Sequence, residues 1–238
     1  KSFSTVIGNS DAPYINKLAR EGVLFTDAHA VMHPSQPNYV ALFAGSTYGL
    51  TDDSCPHALT GPNLASELLA RKLSFAIYSE DMPAAGFTGC SASHGLYRRK
   101  HNPVADFQAG LPTAVNLPFS DFPPEYTKLP TVAFVVPNMM NDMHDGTIAE
   151  GDAWLKTHLS AYAEWAKTHN SLLIVTWDES DAHSMTNQIP LIVVGAGFKP
   201  TRSGQFVDHY GLLRTLEDFY DLRPLGKSIS AKPAGISP

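Results

Sequence analysis

Five apolar runs of strand length recur along the chain, and segments with helical periodicity separate several of them. Several of these runs are continuous stretches of β-branched and aromatic residues, which is typical of strands buried on both faces. A strand–helix–strand order favours a parallel sheet covered by helices. The sequence therefore predicts an α/β fold with a mostly parallel central sheet and helices on both faces. The five runs are Gly22–Ala30, Leu73–Ser79, Thr131–Pro137, Ser171–Trp177 and Ile189–Gly195.

Three segments are predicted to be helical. Pro62–Lys72 begins with proline and continues with strong helix formers. In Ile148–His169 the apolar residues recur close to the helical period, and His209–Tyr220 has the same character. Residues 80–128 are rich in Pro, Gly and Ser and only weakly periodic, so they are expected to form a loop-rich insertion over one edge of the sheet. We predict a single domain over residues 1–238.

Composition limits the class of partner. Of the 238 residues, 43% are hydrophobic and 17% charged, which is enough apolar material for a sizeable core. The net charge is −6 and no stretch is densely basic, so neither nucleic acid nor an anionic membrane is expected as the main partner. No apolar run approaches the roughly 18 residues that cross a bilayer, so stable membrane insertion is not expected.

Polar side chains follow three of the predicted strands. Ser35 comes after the first, at the entry to a helix; Asn141, Asp142, His144 and Asp145 come after Thr131–Pro137. Asp178 and Glu179 come directly after Ser171–Trp177. Ligands bind outside the carboxyl ends of strands in open parallel sheets, so these groups are expected to converge on one rim.

Each of these features also has a structural explanation. A serine at a helix start is commonly an N-cap, and an Asp-Glu pair after a strand is commonly a solvated loop. The functional interpretation is that the helix N-terminus favours a phosphoryl oxygen, while the carboxylates hold a divalent cation. An acyl-transfer triad is weakly supported, because no GxSxG motif surrounds any serine; P-loop, GxGxxG and HExxH motifs are absent as well.

The chain has two cysteines, Cys55 and Cys90, in loop-like stretches rather than in a CxxC motif. They are compatible with a disulfide in an oxidising compartment and equally with two thiols. No signal peptide is present, although a mature secreted chain would have lost it. The expected location is secreted or periplasmic.

Blocks of sequence along nearly the whole chain resemble the phosphoesterase family of acid phosphatases and phospholipases C, within the alkaline phosphatase superfamily. The resemblance is closest to the acid phosphatase branch, through the "DMP" and "NDMHDGT" contexts. The blocks, in order, are "HPSQPNYVALFAGSTYGLTDD", "YRRKHNP", "LPTVAFVVPNMMNDMHDGTIAEGDAWLK", "LLIVTWDES", "NQIPLIVVGAGFKP" and "DHYGLLRTLEDFY".

The resemblance implies an alkaline-phosphatase-like fold and a metal-assisted phosphomonoesterase that forms a covalent phosphoserine. Ser35 matches the nucleophile and a metal ligand, and Asp178 and Glu179 match further metal ligands. His101 and His144 match histidines that bind the phosphoryl group or serve the leaving group. Two further matches are Asn38, as a polar substrate-binding neighbour of the nucleophile, and His209, for which helix capping or packing is an equal expectation.

The family pattern also includes an apolar strand ending in Glu-Asn, both metal ligands, immediately before the segment with which this chain starts at Lys1. The expected cofactor is one divalent ion, Ca²⁺, Mg²⁺, Mn²⁺ or Zn²⁺, and the expected partner is a small phosphorylated substrate. Two alternatives stay open. One is a phospholipase C or phosphodiesterase of the same superfamily; the other is a non-catalytic metal- or phosphate-binding protein on a degenerate scaffold.

Overall fold

The computed structural model describes residues 1–182 and 184–236. All five predicted strands and all three predicted helices are confirmed, with bounds shifted by a few residues. The helices are α1 Phe3–Val6, α2 Pro13–Glu21, α3 Ser35–Ala44, α4 Leu64–Ala70, α5 Pro103–Asp106, α6 Ile148–Ala166 and α7 His209–Phe219. The strands are β1 Val23–His29, β2 Phe75–Ser79, β3 Ser91–Ala92, β4 Tyr97–Arg98, β5 Asn116–Pro118, β6 Val132–Val136, β7 Leu172–Thr176, β8 Leu191–Gly195 and β9 Thr201–Asp208.

Side chains just outside the helices determine where the longer ones begin. The Asn63 side chain accepts from the Ser66 amide at the start of α4, and Thr147 accepts from the Glu150 amide at the start of α6. Asp208 accepts from the Gly211 amide, 2.8 Å away, at the start of α7. Each cap satisfies an amide that the first helical turn leaves without a partner.

The strands form small sheets, not one mostly parallel sheet, and the prediction of a single central parallel sheet is corrected here. A four-stranded mixed sheet has the order β7-β8-β1-β9, and a three-stranded sheet has the order β5-β2-β6. In the mixed sheet β8 is antiparallel to both of its neighbours, whereas β9 is parallel to β1. The three-stranded sheet is parallel.

The prediction of a parallel sheet was wrong in the direction of β8. The described part of the connection from β7 to β8 contains no helix, so the chain turns back and the two strands pair antiparallel. The β8 run is fully buried, as a parallel strand between two helix layers would be. Burial of both faces produces a continuous apolar run whatever the direction of the strand, so this pattern cannot report strand direction.

Helices cover both faces of the mixed sheet, as predicted. Alternate residues of β8 point to opposite faces: Ile192 and Val194 lie in one apolar cluster, and Leu191 and Val193 in another. The first cluster contains side chains of α2 and α6, and the second contains Leu212 of α7. The period-2 alternation of a buried strand thus connects two separate helix layers.

A cavity of about 1000 Å³ lies between the two larger sheets. The edge strands β6 and β7 line it along their full lengths, from Thr131 to Pro137 and from Ser171 to Asp178. Ser35 and His101 line it as well, so the cavity extends to the rim where the strands end. Among the described residues, no helix has both the length and the apolarity needed to cross a membrane.

Residues 80–128 contain β3, β4, β5, α5 and several short 3₁₀ turns. β5 pairs in parallel with β2 and so lies at one edge of the three-stranded sheet. A disulfide joins Cys55 to Cys90 and fastens this segment to the loop after α3. The pairing of β5 with β2 and the disulfide therefore fix the position of residues 80–128, which include His101 at the rim of the cavity.

Candidate active site

Ser35 is the first residue of α3 and is almost completely buried. The residue at the cap position is Pro34, and no side chain caps this helix. The Ser35 hydroxyl instead donates to Glu179 Oε1, 2.9 Å away. The N-cap explanation therefore does not apply to Ser35, whose hydroxyl faces a carboxylate that comes from another strand end.

Asn38 lies one turn further along α3 and is fully buried. Its carboxamide oxygen accepts from the amides of Val31 and Met32, and its amide nitrogen donates to the carbonyls of Met32 and Pro34. These four hydrogen bonds hold the loop that leads into Ser35. Its substrate-binding role stays a prediction, and its contacts support a role in fixing the nucleophile loop.

Asp178 and Glu179 follow β7 and face Ser35. Glu179 Oε2 contacts His33 Nδ1, so both oxygens of this carboxylate have partners. Asp178 Oδ1 accepts from the Glu179 amide at 2.8 Å. Burial raises the pKa of the Asp178 carboxyl, but the field of His101 and this amide hydrogen bond hold it below its usual value overall. Asp178 is therefore an anion at the rim.

His101 arrives from the 80–128 segment and is buried beside Asp178. Its ring stacks on Tyr39 with centroids 5.1 Å apart, and its Nδ1 lies 2.9 Å from Asp142 Oδ2. Its Nε2 lies 3.9 Å from Asp178 Oδ2 and has no hydrogen-bond partner among the described residues. A buried polar nitrogen without a partner is costly, so this atom suits a ligand oxygen.

His144 lies at the outer side of the site, with 40% of its side chain exposed. Its ring centroid is 5.8 Å from that of His101. Nδ1 is 2.7 Å from Asp145 Oδ1, and Nε2 is 2.9 Å from Lys100 Nζ. The structure therefore brings His144 next to His101, but with both ring nitrogens already engaged.

His209 begins α7 and is buried beneath the rim. Burial lowers the pKa of its imidazole, which favours the neutral form. Its Nε2 donates to the Asp178 carbonyl, 2.6 Å away. His209 thus supports the loop that carries Asp178 and does not cap its own helix, a task performed by Asp208.

At least one backbone amide at the N-terminus of α3 already has a hydrogen-bond partner and so cannot bind a phosphoryl oxygen. The Gln36 amide donates to Asp53 Oδ1 at 2.9 Å. The second oxygen of Asp53 accepts from Lys100 Nζ, also at 2.9 Å. Asp53, Lys100, His33 and Tyr39 were not predicted as site residues, although all four lie within the quoted family blocks.

A buried ion pair lies under this part of the site. Arg99 Nε is 2.9 Å from Asp106 Oδ1, and Gln36 Nε2 donates to Asp106 Oδ2 at 2.9 Å. Arg99 also donates to the carbonyls of Thr88 and His57 on both sides of the disulfide. Burial raises the pKa of Asp106 despite the opposing effects of Gln36 and Arg99. Arg99 therefore connects α5 to the two loops that the disulfide joins.

Replacing Arg99 by methionine is expected to lower the free energy of unfolding by about 3–5 kcal/mol, because Asp106 would be left buried without its cation. Loss of the cation raises the pKa of Asp106 further. The folded variant then binds a proton more tightly than the unfolded chain, so its stability falls as the pH rises above the ordinary carboxyl range. Urea unfolding at acidic and neutral pH measures both effects. Exposed Arg98 is the matched control, and equal stability of both variants would contradict the prediction.

The rim offers oxygen donors of the kind that hard divalent cations prefer: the Ser35 hydroxyl and the carboxylates of Asp178 and Glu179. No group of three or more His, Cys, Asp or Glu side chains arranged to hold a metal ion occurs among residues 1–182 and 184–236. The donor chemistry fits a divalent ion, but these residues form only part of a coordination sphere.

The chain matches the Phosphoesterase family over residues 5–223 and belongs to it. It is 52% identical to a phosphatidylinositol-3-phosphatase of Mycobacterium tuberculosis over 236 residues, covering 98% of this chain and 78% of that protein. It is 33% identical to a phosphate-repressible acid phosphatase of Penicillium chrysogenum over 228 residues, covering 90% and 55%. The family prediction is confirmed, as is the assignment to hydrolases of phosphoric esters related to acid phosphatases.

The fold is similar to that of a solved protein in the alkaline phosphatase superfamily from Vibrio parahaemolyticus. The TM-score is 0.62 at 12% identity, covering 98% of this chain and 67% of the other. This likeness supports the predicted superfamily fold. The chain spans about half the length of the acid phosphatases that it matches.

Proposed function

We propose that this protein is a metal-dependent phosphomonoesterase that transfers the phosphoryl group of its substrate to Ser35 and then to water. The observation that carries the proposal is the position of the Ser35 hydroxyl. It is buried at the start of α3, 2.9 Å from Glu179 Oε1, and lines the same cavity as Asp142 and Asp178. A hydroxyl held in this way loses little freedom on attack, which is a large part of the catalysis of phosphoryl transfer.

Each residue at the rim has a separate proposed role. Glu179 accepts the hydrogen bond of Ser35 and is placed to take its proton as the oxygen attacks phosphorus. The His101 Nε2 atom, which lacks a partner among the described residues, is placed for a phosphoryl oxygen. His144 is 40% exposed and next to His101, on the side where the alcohol of a substrate would reach solvent. Asn38 supports the loop before Ser35 by donating to the Pro34 carbonyl, and His209 supports the loop of Asp178 by donating to the Asp178 carbonyl.

We propose Ser35, Asp178 and Glu179 as the ligands of one divalent ion. When bound, such an ion stabilises negative charge on the attacking and phosphoryl oxygens. The incomplete donor set supports the expectation that further ligands come from another strand. The cavity between β6 and β7 is bounded by two edge strands and opens at this rim, so it is a suitable place for that strand.

The substrate is proposed to be a phosphate monoester. The names of the relatives support this class, since they are a phosphatidylinositol-3-phosphatase and several acid phosphatases. A phosphorylated inositol headgroup is the first specific candidate, because this chain is 52% identical to that relative over 236 residues. The Cys55–Cys90 disulfide supports a secreted or periplasmic location, since such bonds persist in oxidising compartments.

The test uses the full-length protein, including whatever residues natively precede Lys1. Phosphate or alcohol release is measured on 4-nitrophenyl phosphate, bis(4-nitrophenyl) phosphate, phosphatidylcholine and phosphatidylinositol 3-phosphate, with and without a chelator. We expect turnover of the monoesters, its loss on chelation, and its return when a divalent ion is added back.

Other outcomes of the same assay favour the alternatives. Turnover of the diester or of phosphatidylcholine in preference to the monoesters would indicate a phosphodiesterase or a phospholipase C. Binding of phosphate or metal without turnover of any ester would indicate a non-catalytic binding protein. Monoester turnover that a chelator leaves unchanged would contradict the metal-dependent mechanism while preserving the substrate class.

A further inference from the structure

Lys100 provides an ammonium group beside the proposed site that no step described above uses. Its Nζ lies 2.9 Å from Asp53 Oδ2 and 2.9 Å from His144 Nε2, and only 14% of its side chain is exposed. Asp53 is itself fixed by the Gln36 amide, directly after Ser35. The nucleophile helix, a carboxylate and an ammonium are therefore linked in one chain of contacts.

These contacts determine which nitrogen of His144 carries the proton. An ammonium group can only donate, so His144 Nε2 accepts from Lys100. A carboxylate can only accept, so His144 Nδ1 donates to Asp145. These two contacts place a proton on Nδ1 and a lone pair on Nε2. In this arrangement Nε2 has no proton to give to a leaving group.

Lys100, in contrast, has a proton available. An ammonium has three N–H groups, and Asp53 and His144 accept two of them among the described residues. An in-line displacement places the leaving oxygen on the side of phosphorus away from Ser35. The alcohol must extend toward solvent, and His144, beside Lys100, is 40% exposed, whereas His101 is buried.

We propose that the Lys100 ammonium, and not His144, protonates the leaving oxygen; this inference rests on the proposed function. The Ser35 Oγ–P bond forms while the bond from P to the alcohol oxygen breaks. The Ser35 proton moves to Glu179, and a Lys100 proton moves to the departing alkoxide. The resulting neutral amine takes a proton from the water that then attacks the phosphoserine, and the departing Ser35 oxygen recovers its proton from Glu179. Asp53, His144 and Asp145 are positioning residues that hold the ammonium.

The test compares two monoesters on the full-length protein. Glycerol phosphate releases an alkoxide that needs a proton, whereas 4-nitrophenyl phosphate releases a phenolate that leaves without one. In Lys100→Met, kcat/KM is expected to fall about 10²-fold or more for glycerol phosphate but only several-fold for 4-nitrophenyl phosphate. Lys100→Arg keeps the charge but cannot give up a proton, so the same selective loss is expected.

His144→Gln separates the two candidate acids, because a carboxamide oxygen can still accept from Lys100 but an amide cannot transfer a proton. This variant is expected to keep glycerol phosphate turnover within about tenfold of wild type. Lys167→Met, which removes an ion pair with Glu21 and Glu164 on α2 and α6, is the matched control and should leave both rates unchanged.

Three results would overturn the inference: equal losses on the two esters in Lys100→Met, no loss on either, or a selective loss in His144→Gln as large as that in Lys100→Met. The first indicates a role in phosphoryl binding or folding, and the last indicates that His144 is the acid. Failure of the wild-type protein to hydrolyse either ester would contradict the proposed function itself, and this inference with it.

Discussion

Ser35→Ala is expected to lower kcat for a phosphate monoester by at least about 10³-fold, because it removes the atom that accepts the phosphoryl group. The fold should persist, since the change deletes one oxygen whose hydrogen bond is to Glu179. Substrate binding should change much less than kcat, because His101 and the rest of the rim stay in place. Steady-state kinetics together with a thermal melt separate these effects.

Ser46→Ala is the matched control for this variant, because Ser46 lies just beyond the opposite end of α3 and its hydroxyl accepts from the Tyr48 amide. It should retain normal turnover. A Ser35→Ala protein that keeps its melting temperature and turns over at more than about a tenth of the wild-type rate would exclude Ser35 as the nucleophile.

Glu179→Gln has the second largest expected effect, a fall in kcat of about 10²–10⁴-fold. Glutamine preserves the size of the side chain, but it removes the negative charge that accepts from Ser35 and contacts His33. An amide can neither take up the Ser35 proton nor contribute a charge to a bound cation. The rate is measured on a monoester over a range of divalent-ion concentrations.

If Glu179 holds the ion as proposed, the Glu179→Gln variant also needs more divalent ion for half-maximal rate. Glu164→Gln on α6 removes a surface carboxylate that pairs with Lys17 and Lys167, and it serves as control. Turnover of Glu179→Gln within tenfold of wild type, at an unchanged ion requirement, would show that this carboxylate neither activates Ser35 nor binds the ion.

The fold was predictable from sequence where burial produced a clear pattern. The β2 and β8 strands are buried along their whole lengths and almost entirely apolar, and both strands were found. Strand β9 was missed, because Thr201–Asp208 is an edge strand with mostly polar side chains, of which Val207 alone is buried. The direction of β8 was also missed, since it depends on a helix-free connection and not on the composition of the strand.

The site residues that directly follow strands of the main sheets were predictable from the sequence. Ser35 and Glu179 follow β1 and β7, and their contact follows from the positions of the strands. Lys100 and Asp53 are 47 residues apart and follow no strand of the main sheets. Their contact depends on how the Cys55–Cys90 disulfide fastens two irregular segments, and no periodicity encodes such an arrangement.

The most direct test of the central claim is to trap the enzyme during turnover. The full-length protein, saturated with a phosphate monoester and a divalent ion, is quenched in acid, digested and analysed by mass spectrometry. The account predicts phosphoserine at Ser35, which forms only with substrate present and is absent when a chelator is added first. Steady turnover with Ser35 unmodified at every quench time, or phosphate found on a histidine in a parallel alkaline quench that preserves phosphohistidine, would contradict it.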